Sequence, residues 1–303
     1  MIFNIMVCVL LSTYNGEKYL EEQLNSLIKQ EDVELRILVR DDGSKDRTHE
    51  ILDKWQKRGH INWYEGKNKG AAQSFMDLIY NAPEADYYAF CDQDDVWLPE
   101  KLKVAIDKIR ESNEAMPCMY ISSTFLVDKQ LQRIGVYRVN SNFSFGESLV
   151  RNSATGCTLV MNKKLFEKIK GQRPEYISMH DSWAYRVCLA LGGKVIYDST
   201  PHILYRQHEC NVIGGKKSFS KIVKRRYLTL TNKIQGERLR TCECLLKYYG
   251  NEMSMNNRFL LQNIVNYRES VKSKFRILFS PLIKLSSIKY RFYFVASILL
   301  NRF

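Results

Sequence analysis

Three carboxylates stand close together in AFCDQDDVWLPEKL, which covers residues 89 to 102. Asp92, Asp94 and Asp95 follow an apolar run and precede a helical pattern that opens near Pro99. Like charges at this spacing repel each other, so we expect a cation that neutralises them. Mg²⁺ and Mn²⁺ prefer oxygen ligands, and Mg²⁺ is usually held by one or two carboxylates together with substrate phosphates. The stretch therefore predicts a divalent-cation site that a diphosphate completes, although solvated acidic turns have the same composition.

The elements that must position these carboxylates alternate between strands and helices. Two apolar runs, NIMVCVLLS and ADYYAFCD, predict buried strands, and ELRILVRDD and INWYEG predict two more, with amphipathic helical patterns between them. This alternation predicts an α/β fold with a mainly parallel central sheet and helices on both faces. Ligands of such sheets bind beyond the carboxyl ends of the strands. We therefore expect the strand exits STYNG, RDDGS and CDQDD to lie side by side.

The totals describe a folded chain with scattered cysteines. The 303 residues are 45% apolar, enough for a sizeable core in one large domain with an appendage or in two modest domains. Eight cysteines without a C-x-x-C pair are typical of reduced thiols in a cytosolic protein. The first residues lack the basic start and cleavage site of a signal peptide, and no apolar run reaches the ~20 residues that a spanning helix needs.

Positive charge is concentrated at the end of the chain. From Gly214 onward there are 19 Lys and Arg against 4 Asp and Glu, so the preceding residues are nearly neutral although the whole chain carries +13. This shift predicts two parts, residues 1–214 and a basic helical region at 215–303. The basic region mixes apolar and cationic residues at helical spacing. It suits a nucleic-acid surface, helices that pack on the domain and present Lys and Arg to anionic lipid headgroups, or an ordinary solvated face.

Four motifs together resemble the family 2 glycosyltransferases, the large inverting family with the GT-A fold. In chain order they are LLSTYNGEKYLEEQLNSLIKQ, VRDDGSKDRT, NKG and FCDQDDVWLPEKL, and the resemblance begins at residue 5 and reaches about residue 110. The later HDSWAYRVCLALGGKVIYDSTPHILYRQHECNVIG resembles the second half of bacterial members that build rhamnose-containing and other surface polysaccharides. The resemblance covers roughly the first two thirds of the chain.

The resemblance implies a nucleotide site at the first two strand exits. Thr13 and Tyr14 are expected to hold the nucleotide, with Tyr14 packed on the base; a tyrosine that only packs in the turn is the alternative. Asp41 is expected to accept a hydrogen bond from a pyrimidine N–H. Capping of the next helix suits its neighbour Asp42 better.

The resemblance also assigns roles around the acidic run. Asn68, in NKG, is expected to approach the sugar or ribose, but Ser74 stands where many relatives carry Asn or Arg. Asp94 is the expected principal metal ligand. Asp92 shares its side if the segment is extended, and is expected to face the ribose or a metal-bound water. Asp95 is expected to cap the following helix or to touch the donor sugar.

An inverting transferase needs a base that takes the proton of the attacking hydroxyl. The resemblance gives this role to Asp181, with His180 standing where the family usually has Glu; Asp181 as a helix cap is the alternative. Arg206 and His208 alternate in YRQHEC and are expected to address the diphosphate, the arginine as a fork and the histidine as a donor or metal ligand.

The sequence thus predicts an inverting glycosyltransferase that depends on Mg²⁺ or Mn²⁺ and uses a UDP- or dTDP-sugar donor. The expected acceptor is a saccharide, lipid-linked, at the cytoplasmic face of the cell membrane in bacterial surface polysaccharide synthesis. The expected partners include an anionic membrane surface but no nucleic acid. Two other classes remain: a metal-dependent phosphohydrolase or nucleotidyltransferase, and a nucleic-acid-binding protein that acts through the basic region. The nucleotide loop and Asp181 argue against the first, and the second leaves the acidic run unexplained.

Overall fold

The computed structural model describes residues 5–112, 114–207 and 236–303. In these ranges the strands are β1 Met6–Thr13, β2 Glu34–Asp41, β3 Asn62–Glu65, β4 Tyr87–Asp92, β5 Val96–Trp97, β6 Cys118–Ser122, β7 Thr124–Val127, β8 Arg133–Tyr137, β9 Val160–Asn162, β10 Lys194–Asp198 and β11 Ile203–Arg206. The α-helices are α1 Leu20–Leu27, α2 Thr48–Lys57, α3 Ala71–Asn81, α4 Lys101–Arg110, α5 Phe145–Val150, α6 Lys163–Lys170, α7 His180–Ala190, α8 Glu237–Tyr249, α9 Met255–Val265, α10 Val271–Leu278 and α11 Ile288–Leu299, and a 3₁₀ turn spans Gly156–Thr158.

The larger sheet has seven strands in the order β10-β6-β9-β4-β1-β2-β3. β1 pairs in parallel with β2 and β4, while β9 runs antiparallel to β4 and β6. The predicted mainly parallel sheet is therefore confirmed. Thr13 is in register with Asp41, and Ser12 with Asp92. The three polar strand exits thus lie side by side, as the strand–helix alternation predicted.

A second sheet of four strands has the order β5-β11-β7-β8. Its shortest strand, β5, follows the acidic run directly and pairs antiparallel with β11. The acidic residues therefore connect β4 of the large sheet with β5 of the small sheet. Both ends of this connection are fixed by strand hydrogen bonds, which restricts where the carboxylates can go.

Helix α7 is buried over its whole length, because the large sheet covers one part of its surface and the C-terminal helices cover another. Trp183 of α7, for example, lies 6.0 Å between ring centroids from Tyr249 of α8. Leu245, Leu261 and Phe90 belong to one continuous hydrophobic cluster. Residues 236–303 of the C-terminal region are mainly helical, as predicted, and they share a core with the sheet. The predicted boundary near residue 215 lies outside the described residues. No helix among the described residues is long and apolar enough to cross a membrane.

Candidate active site

The exit of β2 is organised by the buried carboxylate of Asp41. Its Oδ1 accepts hydrogen bonds from the backbone N–H groups of Gly43 (3.1 Å) and Ser44 (2.7 Å) and lies 2.8 Å from Nε2 of His49. Its Oδ2 accepts from the hydroxyls of Thr13 (2.8 Å) and Ser44 (2.5 Å). Burial alone would raise the pKa of Asp41, but these hydrogen bonds hold it below its usual value. The carboxylate is a satisfied anion that ties the first two strand exits together.

Asp42 performs a different task from the one its sequence suggested. Its carboxylate accepts from Nη1 of Arg40 (2.5 Å) and from the backbone N–H groups of Lys69 (2.9 Å) and Gly70 (2.8 Å). It therefore fixes the start of α3, while Asp41 serves the turn before α2. The alternative that Asp42 caps the next helix, α2, does not hold, because its carboxylate accepts from the NKG segment and the N-cap of α2 is Arg47.

Ser74 and Asn68 lie on either side of this start of α3. The hydroxyl of Ser74 is buried between Oγ of Ser12 (2.6 Å) and Nη1 of Arg40 (2.9 Å). Ser74 is thus part of the packing below the site, whereas Asn68 is exposed at the rim. This placement leaves Asn68 accessible for the contact with a sugar or ribose that the resemblance implies.

Gln93 joins the acidic run to the exit of β1, and sequence reasoning missed it. Its side-chain oxygen accepts from the backbone N–H of Tyr14 (2.8 Å), and its side-chain nitrogen donates to the carbonyl of Tyr14 (3.0 Å). A Cβ on Gly16 would come within 2.5 Å of the Gln93 oxygen, so a larger residue there would displace the Gln93 amide from its contacts with Tyr14. The ring of Tyr14 remains nearly half exposed beside this clamp. The signal that could have identified Gln93 is its position in the sequence, as an amide side chain among the carboxylates of the acidic run.

The acidic run does not continue as an extended segment. β4 ends at Asp92, and Gln93 and Asp94 form a turn. The expectation that Asp92 and Asp94 share one side of an extended strand was therefore wrong in its geometry. Instead, ligand atoms of Asp92, Asp95 and Cys157 all lie within 4.8 Å of one another. Cys157 arrives on the 3₁₀ turn, more than sixty positions along the chain, which no local pattern indicated.

The carboxylates of Asp92 and Asp95 have few hydrogen-bond partners and repel each other. Burial, followed by the charges of Asp94 and Asp181, raises the pKa of Asp92 to about 7. Burial, followed by the charges of Asp94 and Asp92, raises the pKa of Asp95 well above its usual value. Oδ1 of Asp95 accepts from the backbone N–H of Arg206 (3.1 Å), so Asp95 ties the turn to β11 and does not cap α4. Its Oδ2 is buried without a hydrogen-bond partner among the described residues.

These features fit a divalent cation. An orphaned carboxylate oxygen and mutual repulsion are both relieved when a cation binds between the carboxylates. Oxygen donors from Asp92, Asp94 and Asp95 suit Mg²⁺ or Mn²⁺, and the neighbouring thiol of Cys157 adds a softer donor. The residues present therefore fit the predicted metal, with Asp95 closer to the cluster than its sequence suggested.

A buried lysine lies beneath the same cluster. Nζ of Lys101 lies 3.4 Å from the ring centroid of Trp97 and has no hydrogen-bond partner within the described part of the chain. Burial lowers the pKa of Lys101 to about 8, while nearby groups including Cys157 and Asp95 oppose that shift. The helical pattern of α4 did not single out this lysine. Its positive charge partly offsets the acidic cluster from the protein side.

Arg206 is buried and holds the acidic turn in place. Its Nε donates to the carbonyl of Asp94 (2.9 Å), its Nη1 donates to the carbonyl of Lys129 (2.7 Å), and its Nη2 forms an ion pair with Glu22. This network gives Arg206 a positioning role at the turn, and the contact with a diphosphate stays a prediction. The predicted partner of Arg206, His208, lies outside the described residues.

Asp181 lies in the first turn of α7 and is almost fully buried. One oxygen accepts from the backbone N–H of Ser182 (2.5 Å), and the other lies 3.4 Å from Nδ2 of Asn152. The N-cap residue of α7 is Met179, so Asp181 is not the cap that the alternative interpretation required. Burial raises the pKa of Asp181 to about 6, which leaves it ionised near neutral pH and able to accept a proton. Asn152 is a second residue that sequence reasoning missed.

His180 packs inside the protein next to the candidate base. Its ring stacks on Phe75 at 3.7 Å between centroids and meets Phe90 edge-on at 4.8 Å. Burial lowers the pKa of His180 to about 3, so the ring is neutral. A Cβ on Gly156 would lie 3.0 Å from its Nε2, which shows how closely the 3₁₀ turn covers it. His180 thus anchors the start of α7 by packing.

A mainly parallel sheet with polar strand exits, an acidic turn and a carboxylate at the start of a later helix is the arrangement of the GT-A nucleotide-sugar transferases. The family model "Glycosyl transferase family 2" matches residues 8–170, and the chain belongs to this family. It is similar to dTDP-rhamnosyl transferase RfbG of Shigella flexneri, with 33% identity over 227 residues that cover 71% of this chain and 77% of that protein. TuaG of Bacillus subtilis, named for teichuronic acid biosynthesis, is 27% identical over 52% of this chain and 61% of its own length.

Solved structures agree on the fold. The structure of Staphylococcus aureus TarS residues 1–349 in complex with UDP-GlcNAc matches with a TM-score of 0.54 and 18% identity, over 99% of this chain and 93% of that chain. The structure of GalNAc-T7 with UDP, GalNAc and Mn²⁺ matches with a TM-score of 0.57 and 11% identity, over 92% of this chain and 59% of that chain. The predicted family and GT-A fold are confirmed, and the chain is a glycosyltransferase.

Proposed function

We propose that this protein transfers a sugar, with inversion, from a dTDP- or UDP-sugar to a saccharide acceptor in bacterial surface polysaccharide synthesis. The observation that carries the proposal is an unsatisfied carboxylate cluster close to Asp181, a buried carboxylate with a pKa of about 6. Cys157 of that cluster directly follows Gly156, where an added Cβ would lie 3.5 Å from Cβ of Asp181. The similarity to a dTDP-rhamnosyl transferase supports dTDP-rhamnose as the first donor to test.

The nucleotide is proposed to bind across the first two strand exits. Tyr14 offers an exposed ring for stacking on the base, and Thr13 and Asp41 hold the surrounding loops in place. Asn68 stands at the rim for the ribose or sugar. Both oxygens of buried Asp41 already accept hydrogen bonds from within the chain, so a pyrimidine N–H reaches this carboxylate only by displacing one of those donors.

A divalent cation, Mg²⁺ or Mn²⁺, is proposed to be held by Asp94 and Asp92, with His208 as a further ligand. Bound there, the cation supplies positive charge for the departing diphosphate. Arg206 contributes by fixing the carbonyl of Asp94, and therefore the course of the turn, from its buried position.

Asp181 is proposed to be the catalytic base. The acceptor hydroxyl oxygen forms a bond to C1 of the donor sugar while the bond from C1 to the diphosphate oxygen breaks. The electron pair of that bond leaves with the diphosphate, and the hydroxyl proton passes to the carboxylate of Asp181. Because the attack and departure occur in one displacement, the configuration at C1 inverts.

The acceptor is proposed to be lipid-linked, with the enzyme at the cytoplasmic face of the cell membrane. The basic C-terminal region supports this, since Lys and Arg near a bilayer are attracted to anionic headgroups. An anionic membrane surface is accordingly a proposed partner, and nucleic acid is not.

The test is a transfer assay with dTDP-rhamnose or a UDP-sugar, Mn²⁺ and a polyprenyl-diphosphate saccharide, in which the released nucleoside diphosphate and the extended acceptor are both measured. We expect transfer by the wild type and by the control Asp107→Asn, which changes an exposed carboxylate on α4. Asp181→Asn should lower transfer by about 10²- to 10⁴-fold. Near-normal transfer by Asp181→Asn would remove it as the base, and no transfer from any donor would overturn the proposal.

A further inference from the structure

Helix α10 carries apolar side chains on the side that faces solvent. Val271, Phe275 and Phe279 follow each other at intervals of four, and all three are exposed, Phe279 to 76%. The rings of Phe275 and Phe279 are nearly parallel, with centroids 6.2 Å apart. The side of this helix that packs on the core contains Ser273 and Ile277, which are buried. The exposed stripe is therefore a second apolar surface that does not take part in the core.

Helix α11 repeats this arrangement. Ile288 is 90% exposed, and Phe292 and Leu299 are exposed at the spacing of one helical face. Phe294 and Ile298 turn inward and are buried. Both helices are thus apolar on a buried side and on an exposed side, which an ordinary surface helix avoids.

Helices α10 and α11 contact each other in the fold. Nη2 of Arg291 donates to the carbonyl of Leu278 at 3.3 Å, and these residues are the chain neighbours of Phe292 and Phe279. Cationic residues surround the apolar ones, and residues 270–303 contain no Asp or Glu. The cations are Lys272, Lys274, Arg276, Lys284, Lys289, Arg291 and Arg302.

We propose that α10 and α11 form a docking face for an anionic phospholipid bilayer, with the aromatic stripes inserted among the headgroups. Short helices that expose Phe, Ile and Leu beside Lys and Arg bind in the plane of the interface, and their affinity combines apolar burial with attraction to anionic lipid. Charge complementarity selects this occupant, since residues 270–303 carry cations and no Asp or Glu.

The docking face is connected to the candidate base through α5. A Cβ on Gly146 of α5 would come within 2.1 Å of the carbonyl of Leu282, so the segment before α11 lies directly on α5. The buried Glu147 accepts from the backbone N–H (3.1 Å) and hydroxyl (2.6 Å) of Ser286. Two residues after α5 ends, Asn152 approaches Asp181. Docking therefore holds the side of the protein that carries Asp181 near the bilayer. The saccharide of a lipid-linked acceptor is held at that surface by its lipid.

Only the role of the lipid-linked acceptor in this inference rests on the proposed function. The experiment therefore measures membrane binding separately from sugar transfer. Full-length protein is sedimented with vesicles of phosphatidylglycerol and phosphatidylcholine, and with phosphatidylcholine alone, at low and high salt. We expect binding to the anionic vesicles that weakens at high salt. The triple variant Phe275→Ser, Phe279→Ser, Phe292→Ser should lose at least about tenfold in vesicle affinity. The control is Ile134→Ser on β8, which changes an apolar side chain that is 60% exposed elsewhere.

Nucleotide binding by calorimetry is measured on the same proteins and should be unchanged in the triple variant. The inference is overturned if the wild type binds no anionic vesicles, or if the triple variant and Ile134→Ser bind alike. It is also overturned if sedimentation velocity shows a dimer that the triple variant abolishes, since the face would then bind a second copy. Vesicle binding without sugar transfer would support the docking face and count against the proposed function alone.

Discussion

Two carboxylate clusters lie at the exits of β2 and β4, on either side of β1, and their pKa values shift in opposite directions. Asp41, at the end of β2, and Asp95, just after β4, are both fully buried, and burial alone would raise both pKa values. Asp41 accepts hydrogen bonds with both oxygens and has a lowered pKa, whereas Asp95 accepts one from the backbone of Arg206 and has a raised pKa. The two are therefore distinguished by the hydrogen-bond donors around Asp41 and by the negative charges of Asp94 and Asp92 beside Asp95.

This contrast distinguishes a part of the site whose hydrogen bonds are complete within the chain from a part whose carboxylates have few such partners. The cluster around Asp41 is complete within the chain, so it can hold the nucleotide loops rigidly before any ligand arrives. The cluster of Asp92 and Asp95 repels itself and contains an oxygen without a partner. Such a cluster is stabilised by what binds to it. Five predictions would break or sharpen this comparison.

The largest expected effect on stability is at Asp41. Asp41→Asn replaces an oxygen that accepts from several donors with an amide group, and should lower the free energy of unfolding at pH 7 by about 3 kcal/mol. Asp95→Asn replaces a carboxyl whose pKa is raised well above its usual value by burial and by the charges of Asp94 and Asp92, and it should change stability by less than about 1 kcal/mol without metal. Urea unfolding in EDTA measures both. Equal losses would show that the two clusters do not differ as described.

The pH dependence of that difference has a definite sign. The pKa of Asp41 is lower in the folded than in the unfolded protein, so its contribution is present above the unfolded pKa of about 4 and is lost as the pH falls through the folded value. The gap between wild type and Asp41→Asn should therefore shrink on acidification below about pH 4. A gap that is constant with pH would point to packing rather than charge.

The next effect is stabilisation by metal. Mn²⁺ at 100 times its dissociation constant should stabilise the wild type by about 2.7 kcal/mol, because it binds only the folded cluster. Asp92→Asn should lose most of this gain, and the control Asp107→Asn should keep it. Thermal unfolding with Mn²⁺ and with EDTA provides the measurement. Equal stabilisation of all three proteins would place the cation elsewhere.

A smaller effect concerns the acid limb of the pH–rate profile. The pKa of Asp181 is about 6, so kcat/KM should fall about tenfold per pH unit below that value. Saturating Mn²⁺ keeps Asp92 ionised, so the remaining fall of kcat/KM at low pH reports the protonation of Asp181. A profile that is flat to pH 5 at saturating Mn²⁺ would contradict the assignment of Asp181.

The smallest effect is expected at Asn152. Its amide donates weakly to Asp181 over 3.4 Å and favours the ionised form. Asn152→Ala should move the acid limb upward by a few tenths of a pH unit, which corresponds to less than about 1 kcal/mol. Asn152→Asp should move it further, because it adds a like charge. If the limb moves equally little in both variants, Asn152 does not position the base.

The sequence predicted the parts of the fold that depend on local pattern. The buried apolar runs and the strand–helix alternation were sufficient for β1 to β4 and for the side-by-side placement of their polar exits, whereas β6, β9 and β10 of the large sheet were not predicted. The small sheet was not predicted, because β5 has two residues and exists only through its pairing with β11. The proximity of Cys157 to Asp95 and the burial of Lys101 also arise from tertiary packing, and neither has a signal in its own segment.

The most direct test of the account is a calorimetric titration of dTDP and of UDP into the wild type and Asp94→Asn, each with Mn²⁺ and with EDTA. The account predicts binding to the wild type that requires Mn²⁺ and that Asp94→Asn weakens by about tenfold or more, since the cation links the carboxylates to the diphosphate. The preferred base would also narrow the donor. Binding that is as tight in EDTA, or unchanged in Asp94→Asn, would contradict the claim that metal and diphosphate complete the acidic cluster.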